Sequence, residues 1–294
     1  MILGLIYCMD QIMDGVTIKL FLPKGDAQSL RTAELVNWTG KALAGPRSQL
    51  DDLLAREELA KSGVYILLGV DPDTGKQAAY IGEAEVVRDR LKQHREKEFW
   101  IHAITFVSKD ENLTKSHIRY LEGRLIEEAQ KISRFIVLNG QSSGSKLPES
   151  DRVDMEVFLD KIVQLLPVLG CDLLTPILDT VASGVKLRLT GKIKGAIAHG
   201  QRTAKGFVVF ANSEAVTSDR PSAKDYVSNI LMMREEFKRD GTLVPEGDKL
   251  RFTRDTEFSS PSMAGAVICG GHVNGLTFWR DKDGRNLKEI EGAD

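Results

Sequence analysis

The chain has 294 residues, 42% of them hydrophobic and 28% charged, the balance of a water-soluble globular protein with room for about two domains. Its formal net charge of −2 at pH 7 excludes a globally basic surface, so any nucleic-acid partner must be held by local patches. Cys8, Cys171 and Cys269 are too few and too scattered for a disulfide framework or zinc site, which points to a reducing cytoplasm, and no run approaches the ~18 apolar residues of a membrane span.

Met1 to Met9 lacks the charged start and the length of a secretory signal, and Met9 or Met13 would serve as the natural start after a disordered extension. Val16 to Phe21 alternates like a strand with one buried face, and Asp51 to Ala60 reads as a helix, so residues 1–59 are expected to form an N-terminal strand and helix elaboration. Val64 to Val70 and Gln77 to Gly82 are apolar runs on either side of Asp71-Pro72-Asp73-Thr74-Gly75, residue types that reverse a chain at low cost. This predicts a hairpin. Any odd pairing sum puts Tyr65 and Tyr80 on one sheet face, and a four-residue loop from Asp71 to Thr74 would make them direct neighbours.

Ala84 to Lys97 reads as a helix with Ala84, Val87 and Leu91 as its apolar stripe, and Arg90 and His94 stand one turn apart beside it. Phe106 to Ser108 reads as a short strand end. Thr114 opens a helix that buries Ile118, Leu121, Leu125, Ile126 and Ala129. Glu122 falls at the edge of that stripe, where a carboxylate is costly unless paired or bound to a metal. A last apolar run, Phe135 to Leu138, ends in Asn139.

Gly140 to Ser150 is a Gly, Ser and Pro loop, followed by a helix capped at Ser150 or Asp151. That helix carries Met155, Phe158, Leu159, Ile162, Val163 and Leu166, stops at Pro167, and is expected to close a domain spanning 60–168. Residues 169–182 read as a connector and 183–294 as a second domain. Between Thr180 and Ser213 there is no acidic residue, but there are Lys186, Arg188, Lys192, Lys194, Arg202 and Lys205, a candidate phosphate-binding patch whose alternative is a solvated sheet face. Phe207 to Ala211 is a strand, Ser222-Ala223-Lys224-Asp225 a capping box for a helix through Lys238, and Ser260-Pro261 the start of a short helix. Asn274-Gly275 and Asp283-Gly284 mark turns, with Trp279 between them read as a core residue, the alternative being a ring that stacks on a base. The fold class is α+β.

The triplets Gly63-Val64-Tyr65 and Tyr80-Ile81-Gly82, with Arg90 eight residues after Gly82, His94 one turn later, Glu122 on the next helix and Asn139 at the end, resemble the GIY-YIG endonuclease superfamily over about Ser62 to Asn139. The resemblance implies a small antiparallel sheet flanked by helices and a Mg²⁺- or Mn²⁺-dependent hydrolysis of DNA, in restriction, repair or mobile-element processing. It implies Glu122 as the metal-binding residue, Tyr65 as the proton acceptor for the attacking water and Arg90 as the clamp on the scissile phosphate. Tyr80 and His94 would position or carry protons, and Asn139 would brace the site. Phe258-Ser259-Ser260-Pro261-Ser262, Asn274-Gly275, Trp279 and Asp283-Gly284 resemble an uncharacterised domain appended to such nucleases and to restriction or modification proteins, which implies an accessory role.

Phosphodiester hydrolysis needs an activated water, neutralisation of charge on the phosphate and help for the departing oxygen. A phenol with a reference pKa of about 10 is a poor base at neutral pH, so Tyr65 needs positive charge from Arg90, His94 or the ion. The alternatives are structural: Arg90 paired with Glu83 or Glu85, Glu122 paired with Arg119 or Arg124, and a noncatalytic nucleic-acid-binding module. Nothing in the sequence reads a 2′-hydroxyl, so RNA stands beside DNA as a substrate class. One site per chain cuts both strands only by dimerisation or in two successive events.

Overall fold

The computed structural model describes residues 15–139, 145–176, 189–203, 205–219 and 228–292. Contacts divide the chain into two units, Met1–Thr175 and Pro176–Asp294. The expected start codons, the core of the 140–150 loop, the 222–225 capping box, Lys186 and Arg188 lie outside the described residues.

The first unit is built on a seven-stranded sheet. In chain order its elements are β1 (Ile18–Phe21), β2 (Arg31–Leu35), β3 (Gly40–Pro46), α1 (Leu50–Leu54), β4 (Gly63–Val70), β5 (Gln77–Ala84), α2 (Val87–Gln93), β6 (Trp100–Ser108), α3 (Lys115–Ile132), β7 (Ile136–Val137) and α4 (Glu149–Leu165). The strand order is β1-β2-β3-β6-β4-β5-β7, antiparallel except for the β5–β7 pair. β4 is buried at nearly every position, as expected of a strand covered on both faces. Alternate residues feed two cores. Val64, Ile66, Ile81, Ile104 and Phe106 pack with the inward faces of α3 and α4. Tyr65, Leu67, Trp100 and Val107 pack on the other face with Leu53, Leu59, Val87 and Leu91.

Several expectations are corrected here. Within the stretch read as an elaboration, residues 15–59 are not an appendage: they supply β1, β2 and β3, and β3 pairs with β6 from Gly40↔Ser108 to Pro46↔His102. Phe106 to Ser108 is the end of a nine-residue central strand. β1 buries no full face, because Lys19, Leu20 and Phe21 are all exposed on the sheet edge. The helix expected over Asp51 to Ala60 is α1 followed by a separate 3₁₀ turn, Glu57–Ala60. The segment after Pro167 is not a free connector either, since Leu169, Cys171, Leu173 and Leu174 are buried in the first core.

The second unit holds β8 (Leu189–Ile193), β9 (Ala196–Thr203), β10 (Gly206–Val209), β11 (Glu214–Val216), α5 (Ser228–Arg239), β12 (Leu243–Glu246), β13 (Lys249–Phe252), β14 (Thr256–Phe258), α6 (Pro261–Cys269), α7 (Gly275–Phe278) and α8 (Leu287–Glu291). They form sheets of order β14-β10-β9-β8 and β11-β13-β12. Lys194 (φ 44) and Gly195 (φ 78) make a two-residue turn between β8 and β9, the left-handed backbone that matches strand twist. α6 starts as the sequence indicates, with the Ser260 side chain accepting from the Met263 N–H and Pro261 in the first turn. Asn274 is a helix cap rather than a turn residue, accepting from the Leu276 N–H. Trp279 is fully buried against Phe207, 4.4 Å between ring centroids, and its Nε1 donates to the Pro261 carbonyl.

Arg234 is fully buried in this unit. It donates to the carbonyls of Val216 and Val267 and pairs through Nε with Asp219 at 2.8 Å. Breaking such a buried pair costs about 3–5 kcal/mol, because the partners left behind are unsatisfied. Arg234→Ala is therefore expected to lower the unfolding free energy of the second unit by an amount in that range, and a change within experimental error in an equilibrium unfolding curve would contradict the assigned role.

Candidate active site

Tyr65, Tyr80 and His94 meet on the face of the sheet that α2 covers. Tyr65 is opposite Gly82 and Tyr80 is opposite Leu67, so the two phenols are diagonal neighbours and not the direct pair expected from a loop of Asp71 to Thr74. The turn explains the two-residue difference. Asp71 N–H bonds the Lys76 carbonyl at 2.8 Å, and Gly75, at φ 68, lies inside the loop and supplies its left-handed residue. The Asp71 carboxylate also accepts from the Thr74 N–H and hydroxyl.

The register puts the Tyr65 ring over Gly82. A Cβ at that glycine would stand 2.3 Å from the Tyr65 hydroxyl oxygen, so the glycine is required by the close approach of the phenol. Tyr65 and Tyr80 stack with centroids 6.2 Å apart, and the His94 ring lies 5.4 Å and 5.0 Å from them. Tyr65 Oη and His94 Nε2 are hydrogen-bonded at 2.8 Å.

His94 does not continue a long helix as the apolar spacing predicts. Ala84 ends β5, α2 stops at Gln93, and His94 is the C-cap that enters a 3₁₀ turn. This bend turns the imidazole inward, to 4% exposure, while Arg90 stays exposed. Trp100 Nε1 donates to the His94 carbonyl, and Arg47 donates to the carbonyls of Arg95, Lys97 and Trp100 while its guanidinium carbon sits 4.9 Å over the Trp100 ring. The loop that carries His94 is held by these bonds.

Glu122 approaches from α3 at the outer edge of β5. Three residues there point their backbone outward, and each is satisfied differently. The Ala79 carbonyl accepts from the Leu138 N–H at 2.9 Å. The Ile81 N–H and carbonyl are both bonded by the side-chain amide of Asn139. The Glu83 N–H donates to Glu122. Asn139 thus stands where the next strand residue would pair, and Glu122 occupies the last rung.

The charges tie the cluster together. Burial, then Tyr80, pushes the Tyr65 hydroxyl above the ordinary phenol range, while Arg90 pulls it down and Glu122 pushes it up. Burial, then Lys97 and Arg90, pushes His94 down to about 4. The imidazole is therefore neutral at pH 7 and supplies no positive charge to Tyr65, contrary to one of the expected roles. Its Nδ1 is buried with no hydrogen-bond partner. Burial and the neighbouring Glu83 carboxylate raise the Glu122 pKa, against Arg119 and Arg90. Glu122 makes no ion pair among the described residues, so neither Arg119 nor Arg124 neutralises it by contact; Arg124 instead binds Glu127, Glu128 and Glu156. Arg90 likewise pairs with neither Glu83 nor Glu85, which bind Lys115; it donates to Gln93 Oε1 at 3.2 Å.

Sequence reasoning missed three contributors. Glu83 follows Gly82 directly, and strand alternation from Ile81 would have placed it on the Glu122 face. Lys97, whose Nζ lies 4.4 Å from the Tyr80 ring centroid, and Arg47, which holds the loop, carry no signal that separates them from other surface cations.

Among the described residues, the members of the second-unit basic run do not make one patch. Lys192 pairs across with Ile197, and Arg202 with Phe207, so strand alternation sends these two side chains to opposite faces of the sheet. Arg202 is also paired with Glu291 at 3.1 Å, Lys194 is in the turn, and Lys205 is exposed beyond the end of β9. The sequence count gathered cations that the fold separates.

Among the described residues, no group of three or more His, Cys, Asp or Glu side chains gathers as a metal cluster. A single Mg²⁺ or Mn²⁺ that keeps most of its waters asks for less. The unpaired Glu122 carboxylate beside the like-charged Glu83 is a hard-oxygen donor set that fits such an ion. No helix among the described residues is long and apolar enough to cross a membrane.

The depressed His94 pKa sets a pH dependence. The unfolded chain protonates this histidine near 6.5 and the folded one near 4, so its contribution to stability is full above the higher value and is lost as pH falls through that window. The total loss below pH 4 is on the order of 3 kcal/mol. His94→Gln is expected to show a flatter fall of the urea midpoint across this range than the wild type; parallel curves would place the imidazole in water.

A family model described as Domain of unknown function (DUF4357) matches residues 189–291. No curated protein and no solved structure matches the chain. The second unit is thus similar to that uncharacterised domain, and the match does not extend to the Tyr65 site.

Proposed function

We propose that the chain is a Mg²⁺- or Mn²⁺-dependent endonuclease of GIY-YIG type that hydrolyses DNA phosphodiester bonds. The observation that carries this reading is the convergence of a hydrogen-bonded Tyr65–His94 pair with Tyr80, Arg90 and Glu122, residues drawn from two strands and two helices. A packing role alone would leave no reason for an unpaired guanidinium and an unpaired half-buried carboxylate to share the neighbourhood of two phenols.

Glu122, with Glu83 beside it, would hold the ion, which would supply Lewis-acid stabilisation of charge on the phosphate. Arg90 grips the scissile phosphate through its planar fork, which can bond two oxygens at once. Tyr65 is too weakly acidic in its buried position to rest as a phenolate. It acts instead as a relay, accepting the proton of the attacking water while its own proton passes to Nε2 of neutral His94 at 2.8 Å. Tyr80 positions a water or phosphate oxygen, and Asn139 holds the edge of β5 in register.

The second unit is an accessory domain that selects or holds the substrate. Double-strand cutting would require a homodimer or two successive events at one site. RNA cleavage by the same site would follow the same chemistry.

The test is nicking of supercoiled plasmid with and without Mg²⁺. Arg90→Ala is expected to lower kcat by ~10²–10³-fold, the usual loss for one donor to transition-state charge, and Glu122→Ala to remove metal-dependent cutting. Full activity in both variants would dismiss the site, and salt-sensitive DNA binding with no cutting by the wild type on any substrate would favour the noncatalytic module.

A further inference from the structure

The loop after His94 reads Arg95-Glu96-Lys97-Glu98, and the arrangement of its charges is unusual for a surface turn. Lys97 is flanked by two acids in sequence, yet it makes no ion pair with either or with any other carboxylate among the described residues; its ammonium rests over Tyr80, 4.4 Å from the ring centroid. Arg95, on the same loop, does pair, with Asp51, so acids are within reach of this loop. Three hydrogen bonds from Arg47 fix the backbone that carries Lys97, including one to the carbonyl of Lys97 itself. The position of the ammonium over the phenol is therefore set by bonded backbone as well as by side-chain preference.

Two cations, Arg90 and Lys97, consequently stand at the phenol pair without acidic partners, one on each side of His94 in sequence. Both charges act on the His94 ring, which fixes them in one neighbourhood. An exposed cation over a phenol face is held by only about 0.5–1 kcal/mol. A phosphate oxygen, which makes a charge-assisted hydrogen bond, competes well with that contact. Repulsion between two unpaired cations is relieved by an anion placed between or beside them.

We propose that Lys97 is a substrate-positioning residue that binds a nucleic-acid backbone phosphate beside the one held by Arg90, so that the strand crosses the Tyr65–Tyr80 pair with a phosphate contact on either side. This rests on the nuclease reading for its catalytic consequence and on geometry alone for its binding consequence. Glu96 and Glu98 limit the contact to the single ammonium that faces the phenol, because their own charges repel the backbone on either side.

The experiment uses the full chain with Lys97→Gln and Lys97→Arg, each first checked for an unchanged urea midpoint. Fluorescence anisotropy with a labelled DNA duplex in EDTA, between about 50 and 200 mM salt, reads the number of phosphates contacted. Lys97→Gln is expected to lower the log–log salt slope by about 0.9 and to weaken binding on the order of tenfold at low salt, with Lys97→Arg close to wild type. In the nicking assay with Mg²⁺, Lys97→Gln should raise KM and leave kcat nearly unchanged. An unchanged slope and KM in Lys97→Gln overturns the proposal, as does a wild type that does not bind the duplex. A wild type that binds but never cuts defeats the nuclease reading while the slope still decides Lys97.

Discussion

The contact on which the first unit's site depends is the passage of the Tyr65 ring over a residue with no side chain. Gly82 lets the phenol lie flat enough against β5 for its hydroxyl to reach His94, and a methyl group there would meet the hydroxyl oxygen itself. Everything else follows from holding that ring in place. The diagonal register sets Tyr80 beside it, the bend after α2 brings the imidazole over it, and burial keeps both groups neutral. The Tyr65 hydroxyl and His94 Nε2 satisfy each other where both rings are buried, which is the condition under which a hydrogen bond matters most, while His94 Nδ1 is left without a partner.

That neutral pair has a guanidinium side chain and an acidic one in its neighbourhood. Arg90 is exposed and Glu122 is half-buried, and each influences Tyr65 without touching an opposite charge. A site of this kind is out of balance in isolation: burial and Glu83 disfavour the Glu122 carboxylate, while nearby cations and burial disfavour a charged His94. Opposite signs left unmatched on two sides of a sheet edge are what a bound ion and a phosphate would complete. The second unit contrasts with this. There the fully buried Arg234 has two carbonyls and Asp219 as partners and is a structural brace.

The sequence carried the hairpin, the α3 stripe and the α6 cap because each is a local pattern. Ile118, Leu121, Leu125, Ile126 and Ala129 all point inward as their spacing indicates, and Thr114 caps α3 as expected. Tyr65 and Tyr80 share a face under any odd register, so their proximity survived an error in loop placement. Non-local facts were not legible. Gly40 to Pro46 is a small-residue stretch with little strand character of its own, and it is a central strand because β6 pairs with it along its whole length. The spacing puts His94 in a helix through Lys97 because periodicity does not register that α2 ends at Gln93. The basic run failed for a related reason: counting charges along a chain ignores the face on which each strand residue lands.

Asn139 closes the exposed edge of β5 by donating and accepting where a neighbouring peptide group would do both. A side-chain amide imitates a backbone but cannot be extended, so the sheet terminates chemically at this rung and offers no template for a foreign strand. At the rung of Ile81, beside Glu122, the sheet margin is thereby closed to further strand pairing.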